Sequence, residues 1–470
     1  MYTRDFLLAS SLKLVSHGAA SVHLQGGAMS RRGAYAELLR SNPSFRRLWI
    51  AQLISLGGDW FNVVALTGLL LHLTGSSFYG GAVLVAGLLP QFLLSPVAGV
   101  VADRFDRRRL MLGANLIAAI LALAMLAVRS RGSVWLGLAA MAGIAAMGAF
   151  FDPASRSGLP NIVEEEQLAA ANVLMASTWG IMAAVGAAAG GLVAGLLGRN
   201  AAFVANAASF LVAGALILGV RAHLGPLGPT GVSDLSGGRR RRLRPIQDLA
   251  EGGAWARNDA RVMALLAQKI GFGLGTGMIG LLPVFAARVF SGRSASGGPT
   301  GGLGSADAAI GILYGARGLG SLLGPFGARA VVRTDLRRLF PAIAAAMALF
   351  GGAYALFPAA PGLWAAAGIV LVAHLGGGTQ YTMTSYGLQQ MTPDRVRGRI
   401  MAFELGLVTL TMSVSLLAAG RAAEVVNPRA VVEALSGLTV AYAAVRAFAT
   451  RGLWRQRAPG LAGTLAAPGS

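Results

Sequence analysis

The chain has 470 residues, of which 55% are hydrophobic and only 13% charged, with mean hydropathy +0.61 and no cysteine. A soluble protein usually carries about a quarter charged residues, so this chain cannot clothe a water-facing surface and reads as an all-α polytopic membrane protein. The absence of cysteine excludes disulfides, thiol nucleophiles and Cys-ligated metal. The formal charge of +21, from 40 Lys+Arg against 19 Asp+Glu, must be read from where the arginines sit.

In chain order, Phe6 to Val15 is only weakly apolar and is interrupted by Lys13, so no signal peptide is expected; Met29 would be a natural start. A hydrocarbon core of about 30 Å needs roughly 20 apolar residues. Spans of that kind are expected near 47–72, 78–101, 110–128, 133–156, 168–197, 200–220, 262–288, 307–330, 339–357, 362–388, 399–424 and 429–449. The 55 uncharged positions between Arg338 and Asp394 exceed one crossing, and Phe357-Pro-Ala-Ala-Pro-Gly362 divides them into two. The expected organisation is an extension 1–45, a six-helix bundle 46–221, a central loop 222–261, a second bundle 262–450 and a tail 451–470.

Loops retained in the cytoplasm are enriched in Lys and Arg. With the N-terminus inside, the inner segments hold 31 of the 40 Lys and Arg, the outer loops six, and the spans three: Lys269, Arg317 and Arg421. Both termini and the central loop are therefore expected in the cytoplasm. The run Arg239–Arg242 beside a span reads as a topology determinant or anionic-lipid contact rather than a nucleic-acid site.

At an offset of 229, Arg104, Asp106, Arg108 and Arg109 align with Arg333, Asp335, Arg337 and Arg338, and Pro96 with Pro325. At 216, Asn42 and Gln52 align with Asn258 and Gln268; the difference matches the Gly/Ser-rich segment Ser291 to Gly304. The pattern is a six-plus-six parallel repeat, a plan that places binding sites between the halves near the midplane. The motif Gly99-Val-Val-Ala-Asp103-Arg104-Phe-Asp106-Arg107-Arg108-Arg109, together with Ser55-Leu-Gly-Gly-Asp59-Trp60, Phe151-Asp-Pro-Ala-Ser-Arg156 and Arg397-Gly-Arg399, resembles the major facilitator superfamily, and within it the bacterial drug, macrolide and siderophore (enterobactin) exporters. The resemblance implies the twelve-helix major facilitator fold in a bacterial inner membrane. It also implies a latch in which Asp103 binds the start of the eleventh span near Arg397 and Arg399, as a carboxylate at a helix N-terminus is favoured. The antiporter motif of the fifth span departs from the pattern: Gly186, Gly190 and Gly191 are kept but Ala187 replaces the proline.

Asp59 falls about 11 residues into the first span, roughly 16 Å deep. An ionisable group there is expensive and by default faces a cavity, and burial favours its protonated form, so Asp59 is the expected coupling residue. A structural Asp tied to neighbouring donors is the alternative. Arg317 and Lys269, whose repeat partners are Leu88 and Leu53, break the internal symmetry and are candidates to pair with Asp59 or with substrate; Lys269 could instead snorkel. Asp152, Arg156 and Glu404 are expected in a gate or interface network, as are Arg104, Asp106, Arg107 and Arg108. His72, His374, Arg421 and Glu424 read the same way. Phe150, Phe151, Trp60, Trp179, Tyr381, Met383 and Tyr386 could line a cavity, with helix packing the alternative for each. Gly186-xxx-Gly190, Gly191-xxx-Gly195, Gly311-xxx-Gly315 and Gly320-xxx-Gly324 let helices approach closely.

No P-loop Gly-Lys, HExxH or GxSxG occurs, so no enzyme, cofactor or metal is expected. Without ATPase machinery, an ion or substrate gradient must supply the energy. The expected function is proton-coupled export of amphipathic small molecules by a monomer in the bilayer, with sodium as the other coupling ion. An importer or facilitator of a small metabolite, or a receptor that has lost transport, are the alternatives.

Overall fold

A computed structural model describes residues 31–221, 253–291, 305–332 and 338–453. The leading segment 1–28, the Arg239–Arg242 run, and Arg333, Asp335 and Arg337 lie outside the described residues. After a short helix Arg31–Ser41 come α1 Pro43–Thr74, α2 Phe78–Arg104, α3 Arg107–Ala124, α4 Val134–Gly158, α5 Glu165–Leu196 and α6 Arg199–Leu218. The second half comprises α7, divided into Ala260–Gly275 and Gly277–Phe285, then α8 Ala306–Val332, α9 Leu339–Leu356, α10 Leu363–Met391, α11 Asp394–Val425 and α12 Pro428–Thr450. Among the described residues, eleven helices are long and apolar enough to cross a membrane. The remaining long helix is α8, whose apolar character is diluted by Asp307, Arg317 and several glycines.

Polar side chains start the helices where the backbone N–H groups need acceptors. Asn42 accepts from Phe45 N at 2.9 Å and its own amide donates to Ile162 O at 2.7 Å, tying α1 to the α4–α5 turn. Asp106 caps α3 through Arg109 N at 2.8 Å, and Asp259 caps α7 through Arg261 N at 2.8 Å. The repeat thus places its second cap at Asp259, one residue beyond the Asn258 aligned with Asn42. Pro43 occupies the first turn of α1, and Gly75, with φ +68°, ends that helix in the left-handed conformation.

The core shows how the halves meet. Toward the end holding the α1–α2 turn, here the far end, one continuous apolar cluster joins both halves, from Val64 and Leu66 to Ile310, Leu313 and Phe357. Toward the arginine-rich end, the first half has its own cluster, including Phe45, Met111 and Ile217, and the second half another, including Leu265, Phe340 and Ile400. The halves are therefore fused at the far end and packed separately at the other.

Glycines make the fusion possible. A Cβ at Gly191 of α5 would lie 2.6 Å from Gly311 Cα of α8, and one at Gly81 of α2 would lie 2.4 Å from Leu416 O of α11. Gly80 meets Gly280 O of α7 at 2.2 Å by the same construction. Such backbone contact supplies dispersion that lipid cannot, because apolar side chains gain little from leaving lipid for protein. Gly320 and Gly324 face α10 within the second half. Polar contacts close the same end: Arg199 to Asp307 at 2.8 Å, Arg288 Nη2 to Gly75 O at 2.6 Å, and Ser76 to Glu424.

Replacing Gly311 by Leu should prise this end apart. In the cysteine-free chain, a reporter cysteine at Leu416, 2% exposed, is expected to alkylate several-fold faster once Gly311→Leu is added; equal rates would show that the seam does not hold the halves together.

Candidate functional site

Asp59 stands at the middle of α1. Its neighbour Gly58 lies so close to α6 that a Cβ would come within 2.2 Å of both Asn206 Oδ1 and Ser209 Oγ, and that hydroxyl lies 3.0 Å from Asn206 Oδ1. Asp59 Oδ1 and Asn206 Nδ2 are each buried without a hydrogen bond of good geometry, although the Asn206 side chain is near enough to act on the carboxylate. Asp152 of α4 adds like-charge repulsion on Asp59. Asp152 is itself held by Gln91 Nε2 of α2 at 3.0 Å, with the Arg156 charge beside it. The first half thus carries two interacting carboxylates, one of them poorly satisfied.

Next to Asp59 in the chain, Trp60 forms the bridge to the second half. Its ring lies 6.4 Å from Trp179 of α5 and 6.1 Å from Tyr314 of α8, and the Arg317 guanidinium carbon is 5.9 Å from its centroid, a cation–π distance. Arg317 has no carboxylate partner among the described residues. Around it converge Tyr314, Tyr354 of α9 and His374 of α10, all within its electrostatic reach.

Lys269 is placed differently. Its Nζ lies 2.6 Å from Glu404 Oε1, donates to Ser385 Oγ at 2.9 Å and Tyr381 O at 3.0 Å, and sits 3.4 Å from the Tyr381 ring centroid. Neither cation pairs with Asp59: Lys269 is committed to Glu404 of α11 inside its own half. Lys269 is 1% and Glu404 4% exposed, too deep for snorkelling.

At the arginine-rich end, Arg47 and Arg108 donate to the carbonyls of Gly219 and Val220 where α6 ends, the favourable site for a cation. Arg107 is buried, Arg104 is exposed, and Arg397 Nη2 donates to Thr392 O at 3.1 Å. Arg399 lies in the first turns of α11. The Asp103 side chain lies outside the described residues, so the latch remains an expectation. Phe151 and Met383 are buried in the separate cores and Tyr386 flanks one of them, so these three pack rather than face Asp59 or Arg317. Gly186 lies against Gly57 and Trp60, and Gly190 against Phe61, which brings α5 onto α1.

Sequence reading missed Asn206, Gln91, Ser385, Tyr314, Tyr354 and the Arg199–Asp307 pair. The spacing of Tyr314 and Arg317 on one helical face was a usable signal; the others depend on contacts between distant helices.

A family model described as "Major Facilitator Superfamily" matches residues 48–415. The chain belongs to that superfamily. It is 34% identical over 127 residues to macrolide efflux protein A of Streptococcus pyogenes, covering 26% of this chain and 31% of that protein. It is 30% identical over 156 residues to the multidrug efflux pump Tap of Mycolicibacterium fortuitum, covering 32% and 38%. The matched stretches thus span about a third of these relatives. The superfamily fold is also seen in the crystal structure of a bacterial homologue of the human lysosomal transporter Spinster, at TM-score 0.66 and 18% identity over 88% of this chain and 98% of that one. A bacterial homologue of the iron transporter ferroportin gives TM-score 0.61 and 16% identity over 89% and 100%.

Breaking the Lys269–Glu404 pair from one side strands a buried charge. Lys269→Ala is expected to cost about 3–5 kcal/mol, whereas Lys269→Met with Glu404→Gln recovers most of it. The thermal unfolding midpoint of the purified variants checks this; a fully stable Lys269→Ala would contradict it.

Proposed function

We propose that this superfamily transporter is a proton-coupled exporter of amphipathic small molecules. Its halves would alternate access around the midplane, with Asp59 exchanging the coupling proton. The observation that carries the reading is the unsatisfied Asp59 Oδ1 at the middle of α1. A carboxylate deep in a membrane protein with a bare oxygen is stabilised by a proton. Protonation and release are then linked to any movement that brings water or a cation to that oxygen.

The fold supplies the movement. The halves share one core at the far end and keep separate cores at the other, so substrate would enter from the arginine-rich side in this state. Reopening would require the glycine seam and the Arg199–Asp307 contact to part. The positive-inside distribution supports a cytoplasmic arginine-rich end, and with it the reading of this state as the loading state of an exporter in a bacterial inner membrane. The stretches shared with proteins named for macrolide and multidrug efflux support export over import.

The test is accumulation of a fluorescent amphipathic dye in efflux-deficient bacteria expressing wild type or Asp59→Asn, with and without a protonophore. Lower accumulation in wild type alone, abolished by the protonophore, is expected. Equal, protonophore-insensitive levels at matched expression would overturn the reading.

A further inference from the structure

Arg317 poses a problem that scaffold packing does not answer. A guanidinium in a membrane interior is normally paired, and the other deep cation, Lys269, has a carboxylate, a hydroxyl and a carbonyl around it. Arg317 has no such acceptor among the described residues. The groups converging on it are in the same condition. Tyr314 OH, Tyr354 OH and His374 Nε2 are buried without a partner, although the side chains are 0%, 0% and 2% exposed.

What sets these three apart from other unpartnered buried atoms is that all of them lie around one cation that also lacks an acceptor. Their chemistry also agrees. Two hydroxyls and a guanidinium can all donate to one acceptor. The imidazole differs: its Nδ1 lies 3.0 Å from Val370 O, so Nδ1 carries the proton in that contact and Nε2 of the neutral ring is an acceptor, suited to an O–H or an ammonium N–H rather than to an anion. Trp60 supplies an apolar wall beside the charge.

We infer that Arg317, Tyr314 and Tyr354 form a binding site for the anionic group of an amphipathic molecule, a carboxylate in the first instance, whose apolar body lies toward Trp60 and Trp179. The site deepens the export reading and rests on it: it names the substrates as amphipathic acids or zwitterions, with the acid held by the second half and Asp59 facing from the first. A lipid phosphate is the other source of the same oxyanion chemistry.

The probes are 1-naphthylacetate and its uncharged amide, titrated into purified full-length protein in neutral phosphatidylcholine nanodiscs and followed by tryptophan fluorescence and by the unfolding midpoint. The acid is expected to bind wild type on the order of tenfold tighter than the amide, the scale of a charge-assisted hydrogen bond. Arg317→Gln should remove the difference, Arg317→Lys should restore part of it, and Tyr354→Phe should reduce it, each in a monodisperse preparation. Equal binding of acid and amide to wild type, or an acid preference that survives Arg317→Gln, overturns the inference. Loss of the acid's binding when phosphatidylglycerol is added to the nanodisc assigns the site to lipid and overturns its role with substrate. Dye export by wild type alongside equal acid and amide binding removes this inference alone; acid binding without any dye export removes the exporter reading instead.

Discussion

A charge inside a membrane protein must find a partner, a proton or a water-filled space, because hydrocarbon offers none of them. That constraint sorts the deep ionisable groups of this transporter into two kinds. Lys269 and Glu404 satisfy one another with help from Ser385 and the Tyr381 ring, and Arg199 meets Asp307 where the halves close. Asp59 and Arg317 have no ion-pair partner among the described residues. The paired charges hold helices together, and Arg317 lies beside Trp60, where the halves meet. A moving protein can use only charges whose partners are allowed to change.

The glycine seam gives those charges a setting. By admitting backbone to backbone contact between α5 and α8 and between α2, α7 and α11, it concentrates the inter-half adhesion at one end. The other end is left with two separate cores. A pair of rigid bodies joined along one edge can rock about it, and interfaces made of close packing tend to be bistable rather than continuously deformable. The proposed proton site at Asp59 belongs to the first half and the proposed anion site at Arg317 to the second, so each would bias the position of this joint.

Much of the fold was legible in the sequence because bilayer thickness fixes span length. The expected boundaries at 78–101 and 339–357 fall within a few residues of α2 and α9. The break of α7 at Thr276 was not legible: Gly271, Gly273, Gly275 and Gly277 dilute side-chain information without saying where the helix yields. Asp59 could be singled out from depth alone, whereas its neighbours could not. Asn206, Gln91 and Asp152 come from three other helices, and no local period connects them. Lys269 shows the limit most clearly, since a deep cation in the sequence is equally a coupling residue or half of an ion pair until Glu404 is seen beside it.

The central claim is that a proton on Asp59 couples the gradient to movement of the halves. Its most direct test is in proteoliposomes, measuring how far a dye moved by wild type is concentrated under an imposed pH gradient, for wild type and Asp59→Asn. The account predicts that wild type concentrates the dye and that Asp59→Asn gives the same distribution with and without the gradient. Gradient-driven accumulation by Asp59→Asn at the wild-type level would contradict it.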